Sequence, residues 1–159
     1  MKIWTTLNKI FATAFGLGYS PIAPGTMGAF GGVVVGAVIL EYCPFPNYLL
    51  ILLIVSCTIL GAFSSKRLEK EWGEDPSKIV IDEVVGMWIS MLFLPHKWEC
   101  FVAAFVLFRL FDIYKPFYIR RLESLKNGWG VMMDDVLAGV YSNIVLQISL
   151  VFLKQYLFS

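Results

Sequence analysis

Charge is what this 159-residue sequence has least of. Asp, Glu, Lys and Arg together make up 16% of it, against about a quarter in an ordinary soluble domain. A water-facing surface for a chain of this length cannot be assembled from so few charged side chains. The charges that exist nearly cancel, 13 basic against 12 acidic, so there is no positive field to attract a phosphate backbone, and nucleic acid is excluded as a partner. Cysteine is scarce as well: Cys43, Cys57 and Cys100 are odd in number and lack C-x-x-C spacing, which argues against a disulfide framework or a thiolate zinc site and leaves them as apolar filler. Histidine occurs once, as His96, too few for a phosphohistidine mechanism if that residue lies away from the acids. Internal repeats and low-complexity segments are missing too. At the N-terminus Thr5, Thr6, Asn8 and Lys9 interrupt any apolar core, so a cleaved signal peptide is not expected.

Apolar residues fill the space that charge leaves. They make up 58% of the chain, mean hydropathy is +0.71, and residues 10–40, 42–65 and 136–153 are uncharged. Runs of that length take lipid as their solvent. The expected fold class is all-α: a polytopic helical membrane bundle forming a single domain over residues 1–159. Its secure crossings are Thr26 to Tyr42, with Thr26 as the N-cap after the SPIAPGT loop, then Tyr48 to Ser65, and Val136 to Gln155. Ile81–Leu94 and Trp98–Ile113 are short. They make five crossings if their charged ends are included, or a single hairpin turned at Pro95.

Eleven of the thirteen lysines and arginines fall on one side if the N-terminus is cytoplasmic and there are five crossings, as the positive-inside bias requires. The same assignment brings Asp82, Glu83, Asp112, Asp134 and Asp135 to the cytoplasmic ends of helices. Residues 64–78 read as a cytosolic extension of the second crossing, closed by a turn from Gly73 to Pro76, and residues 116–130 as an interfacial amphipathic helix. Gly28, Gly32 and Gly36, at i, i+4 and i+8, form a face that admits a close helix neighbour, either within the chain or on a second subunit of a homo-oligomer. Ala138 and Ser142 repeat the device more weakly.

The acids carry the chemistry. A carboxylate in a membrane segment costs roughly 2.5–3.5 kcal/mol at mid-membrane, so it marks a site by default. Acids near helix N-termini also simply complement the dipole, but Asp112 stands near a helix C-terminus, where that account fails. Three helices can converge here on one acidic centre, and five carboxylates in a low-dielectric pocket must either take up protons or hold a divalent cation. All-oxygen ligation suits Mg2+ or Mn2+. Arg109 and Lys115, three residues either side of Asp112, form either a salt-bridge network or a phosphate clamp. Ser20, Thr26 and the free N–H groups of the SPIAPGT loop offer a further anion site. With no D-x-D-x-T motif and no cysteine phosphatase loop, metal-assisted phosphoryl chemistry remains.

Four stretches, GLGYSPIAPGTMGAFGG (16–32), IVIDEVVGMWI (79–89), FRLFDIYKP (108–116) and GWGVMMDDVLAGVYSN (128–143), resemble the phosphatidylglycerophosphatase A family. The resemblance implies Mg2+-dependent hydrolysis of phosphatidylglycerol phosphate to phosphatidylglycerol and inorganic phosphate, at the cytoplasmic face of the bacterial inner membrane. It also implies that Asp82, Glu83, Asp134 and Asp135 are metal ligands, Asp112 a further ligand or general base, and Arg109 and Lys115 phosphate binders. Two alternatives are weaker. A CDP-alcohol phosphotransferase needs a D-G-x-x-A-R … G-x-x-x-D-x-x-x-D pattern that is missing, and a divalent-cation carrier needs its acids near the bilayer midplane.

Overall fold

The computed structural model describes residues 2–73 and 76–158, and every regular element among them is helical. Helix α1 spans Lys2–Ala12, α2 Pro24–Tyr42, α3 Pro46–Trp72, α4 Ile81–Met91, α5 Trp98–Tyr114, α6 Ile119–Leu122 and α7 Trp129–Phe158. Three of them, α2, α3 and α7, are long and apolar enough to cross a membrane. Their outward side chains, among them Phe30, Val38, Leu52, Ile59, Ile148 and Phe152, are exposed, which suits lipid rather than water and marks a membrane protein.

Helix starts follow local chemistry. Proline opens both α2 and α3 at the first turn, where its missing N–H costs nothing. Thr26 is therefore not the N-cap of α2. Ala23 takes that place with φ 45° and no side-chain cap, because Pro24 fixes the first helical φ three residues earlier than expected. Helix α3 joins the second crossing and its extension into one element of 27 residues, ended by Gly73 at φ 87°. Part of the turn expected from Gly73 to Pro76 lies outside the described residues. The connector expected to be one interfacial helix is instead broken into turns around the four-residue α6. Pro116 lacks an N–H to extend a helix, and Lys115, Phe117 and Asn127 adopt positive φ, which no helix accommodates.

Helix α4 is the axis of the bundle. At 11 residues it rises about 16 Å, roughly half a bilayer core, and every residue except Glu83 is buried. The glycine face of α2 lies along it in parallel: a Cβ at Gly28 would stand 2.7 Å from Val80 Cβ, one at Gly32 3.0 Å from Met87 Cβ, and one at Gly36 3.1 Å from Met91 Sδ. Trp88 Nε1 donates to the Gly32 carbonyl at 3.0 Å. Of the two neighbours the glycine spacing allowed, this face is filled by the internal one. On the other side α7 also runs parallel, with Gly139 against the Gly86 backbone, while α3 runs antiparallel.

A helix that ends inside a bundle leaves orphan carbonyls. Here Asn143 Nδ2 donates to the carbonyls of Ser90 and Leu92 at 3.1 and 2.8 Å, and Gln147 Nε2 to that of Leu92 at 3.2 Å. Asn47 Oδ1 accepts from the Phe93 N–H at 2.9 Å. These amides take up the backbone groups left open where α4 ends. Residues 92–97 then turn, with Pro95 and exposed His96, into α5.

Candidate metal and phosphate site

The parallel run of α2, α4 and α7, with α5 returning between them, collects four helix ends at one end of the bundle. Asp82 and Glu83 stand in the first turn of α4, and Asp134 and Asp135 in the second turn of α7. Arg109 and Asp112 stand in the last turns of α5. His96 sits beyond the end of α4 opposite to the acids.

Three of the five expected acids form one cluster. Asp82, Glu83 and Asp135 each place a carboxylate oxygen within 4.8 Å of the other two. Asp82 and Asp135 are buried and Glu83 nearly so. Asp82 Oδ1 accepts the Glu83 N–H at 3.0 Å, which fixes that carboxylate against the helix start. Glu83 Oε2 and Asp135 Oδ2 are buried and unpartnered. Orphaned anionic oxygens aimed into a shared space are what a hard divalent cation takes up, so the residues present fit Mg2+.

Asp134 turns elsewhere. Adjacent positions on a helix diverge by about 100°, and its Oδ2 accepts from Lys115 Nζ at 2.7 Å while Oδ1 stays buried and unpartnered. Lys115 Nζ also donates to Glu123 Oε1 at 2.6 Å. Burial alone would lower the Lys115 pKa, but the hydrogen bonds to Asp134 and Glu123 outweigh it and raise the ammonium above the ordinary lysine range, so it is charged at neutral pH. Glu123 was not expected from the sequence; a lone acid in a basic connector gives no signal of it. Glu123 also lines a polar cleft of about 590 Å3, with Ser65, Glu69, Lys126 and Asn127, which opens this end of the bundle to solvent.

Arg109 and Asp112 form a close ion pair through Nη1 and Oδ2, and the same Nη1 lies 4.0 Å from Glu83 Oε1. Arg109 Nε is buried without a partner. A guanidinium edge left free beside a carboxylate cluster is a donor for a phosphoryl oxygen. Acids outnumber bases within the site, where Asp82, Glu83, Asp112, Asp134 and Asp135 are accompanied by Arg109 and Lys115.

The SPIAPGT loop reaches the site through a different residue from those expected. The Ser20 hydroxyl is spent locally on the Ile22 carbonyl at 2.9 Å. Thr26 is half-buried in the first turn of α2. Gly25 is the contact: a Cβ there would collide with Glu83 Oε1 and stand 3.2 Å from Arg109 Nη1. Met27 is the first N–H of α2 to bond back, to Ala23 O at 3.1 Å, so the N–H groups of Gly25 and Thr26 lie outside the ladder at a helix N-terminus beside Arg109. The A-P-G-T string could have signalled this, because glycine at a helix start often marks a close approach.

The chain is similar to known proteins over most of its length. A family model described as phosphatidylglycerophosphatase A matches residues 10–150. A putative phosphatidylinositol-3-phosphatase of Bacteroides thetaiotaomicron is 46% identical over 154 residues, covering 94% of this chain and 97% of that one. A phosphatidylglycerophosphatase A of Haemophilus influenzae is 39% identical over 151 residues, covering 92% and 91%. The Escherichia coli protein of the same name is 37% identical over 136 residues, covering 84% and 77%. No solved structure matches.

Proposed function

The chain belongs to the phosphatidylglycerophosphatase A family, and on that premise we propose that it is a lipid phosphatase which hydrolyses the terminal phosphomonoester of phosphatidylglycerol phosphate, releasing phosphatidylglycerol and inorganic phosphate. The single observation that carries this reading is the meeting of the Asp82, Glu83 and Asp135 carboxylates beside the unpartnered Nε of Arg109. The reading includes Mg2+ held by those three acids, with Mn2+ as a substitute of similar ligand preference. Bound there, the ion neutralises phosphoryl oxygens and lowers the pKa of water.

The protein's own groups orient the substrate. The Arg109 guanidinium edge and the free N–H groups of Gly25 and Thr26 take phosphoryl oxygens, and Lys115 adds a point charge from the other side. Asp112 holds Arg109 in place, and Glu123 and Asp134 hold Lys115. Water attacks phosphorus and gives up a proton as its oxygen joins the phosphate, the P–O bond to the headgroup alcohol breaks, and the leaving oxygen takes up a proton, so that one water is divided between phosphate and alcohol. The acyl chains stay in lipid beside α2, α5 and α7 while the headgroup enters at the interface. In this reading the chain is one integral domain with five crossings, its N-terminus and acids at the cytoplasmic face of a bacterial inner membrane. Acids gathered at one end, rather than at the middle of α4, favour an enzyme over a carrier.

The Bacteroides relative's name motivates a second reading, in which the headgroup alcohol is an inositol. Both substrates present a phosphomonoester to the same groups. Phosphate release by purified chain from phosphatidylglycerol phosphate, phosphatidylinositol phosphate and phosphatidic acid, each with Mg2+ or with chelator, decides between them. Mg2+-dependent release fastest from phosphatidylglycerol phosphate supports the first reading. Preference for the inositol lipid supports the second, and no release from any of them overturns both.

A further inference from the structure

We propose that the cleft between α1 and α3 is a second, non-catalytic lipid site, which binds the headgroup of an anionic membrane phospholipid. The cleft has a volume of about 670 Å3, and its walls include Asn8 of α1 and Phe63, Lys66, Arg67 and Lys70 of α3. Lys66, Arg67 and Lys70 are exposed and make no ion pair among the described residues. Glu71 also borders the cleft, but its charge is met by Lys9 Nζ at 2.8 Å. Three cations with no ion pair among the described residues therefore converge on one concave surface, and the ligand that matches them is an anion.

The surroundings specify a lipid. Phe63, immediately above the cations, is 65% exposed, and α1 presents Ile3, Trp4, Leu7 and Ile10 outward on one face. Positions 3, 4, 7 and 10 form a single helical stripe, the pattern of a helix lying in the headgroup boundary with its apolar face in the acyl region. The groove also begins where α3 passes from its apolar run into its charged extension, the depth of lipid phosphates. Asn8 fixes α1 in place by accepting the Ser64 hydroxyl at 2.9 Å, so the groove is preformed.

The site is separate from the catalytic one. Gly61 and Leu68 of α3 point into the bundle, with Gly61 against Met132 and Ile81. Positions 63, 66, 67 and 70 fall on the opposite face at about 100° per residue. Binding here leaves the acids free, so the proposal can fail while the phosphatase reading stands, and the reverse.

The test is retention of phosphatidylserine, an anionic lipid with no phosphomonoester to hydrolyse, against phosphatidylcholine by the purified full chain in detergent, read by native mass spectrometry. Wild type is expected to retain phosphatidylserine selectively. The K66Q/R67Q/K70Q variant should bind it at least about tenfold more weakly, while R120Q/R121Q, which removes the same kind of charge elsewhere, binds as wild type. Unchanged phosphate release by the triple variant shows that it is folded, and Lys70→Glu alone, expected to weaken retention in the same direction, serves if it is not. Equal retention of both lipids by wild type, equal retention by wild type and the cleft variants, or an equal loss in R120Q/R121Q would overturn the proposal.

Discussion

Asp134 and Asp135 are neighbours on one helix, yet their carboxylates serve different partners. Asp135 joins Asp82 and Glu83, and Asp134 anchors Lys115. The sequence brings both acids to the right helix end, but it does not divide their roles, because the division depends on where Lys115 at the end of α5 meets α7. Their losses should therefore differ in kind. Lys115→Gln and Asp134→Asn should raise KM for the lipid phosphate about tenfold or more while leaving the Mg2+ concentration for half-activity unchanged, as steady-state kinetics across a Mg2+ titration will show. Lys115→Arg should keep the wild-type pH profile between pH 6 and 9. The native pKa of Lys115 lies above its ordinary value of 10.5, so its stabilising charge is complete below that value and is lost only as pH rises through the raised native pKa. Gly25→Ala should lower kcat/KM by at least about a hundredfold without lowering thermal stability by more than about 1 kcal/mol, since the added methyl meets Glu83 and Arg109 in the site rather than the core.

At the scale of elements, α4 is where the sequence was least decisive. Its apolar run fits a full crossing that includes the acids or one arm of a hairpin equally well. What ends the helix at Met91 is tertiary: amides of Asn143 and Gln147 on α7 and Asn47 on α3 take up the backbone groups there. By contrast, the spacing of Gly28, Gly32 and Gly36 announced a tight neighbour, and α4 is that neighbour. Gly86 and Gly139, which bring α4 and α7 into contact, are not spaced as a repeat on one helix and so gave no comparable signal. The connector after Pro116 misled in the other direction, because its amphipathic pattern conceals residues held at positive φ. Asn143→Leu removes a donor from the part-buried carbonyls of Ser90 and Leu92, the second of which keeps Gln147, and should cost about 1–3 kcal/mol in a reversible unfolding titration. Gly139→Val forces α7 from the Gly86 backbone and should cost more than Asn143→Leu in the same titration, with activity lost in parallel.

For the whole molecule, the alternation of α2, α3, α4, α5 and α7 carries the acids to one end and the Pro95 turn to the other. The bias of lysines and arginines toward the acid end was readable without coordinates, since it depends only on counting between apolar runs; the closure of Asp82, Glu83 and Asp135 into one cluster was not, since it depends on packing around α4. With the three native cysteines replaced, a cysteine at Ser124 should react with an impermeant thiol reagent only from the cytoplasmic side, and one at His96 only from the other. The central claim is that these three carboxylates together hold the ion needed for phosphate release. The direct test is turnover of phosphatidylglycerol phosphate by Asp82→Asn and Asp135→Asn beside wild type across a Mg2+ titration, each variant first shown to be folded. The account predicts folded proteins whose turnover falls at least about a thousandfold, or recovers only at far higher Mg2+. Near-wild-type turnover with unchanged Mg2+ dependence would contradict it.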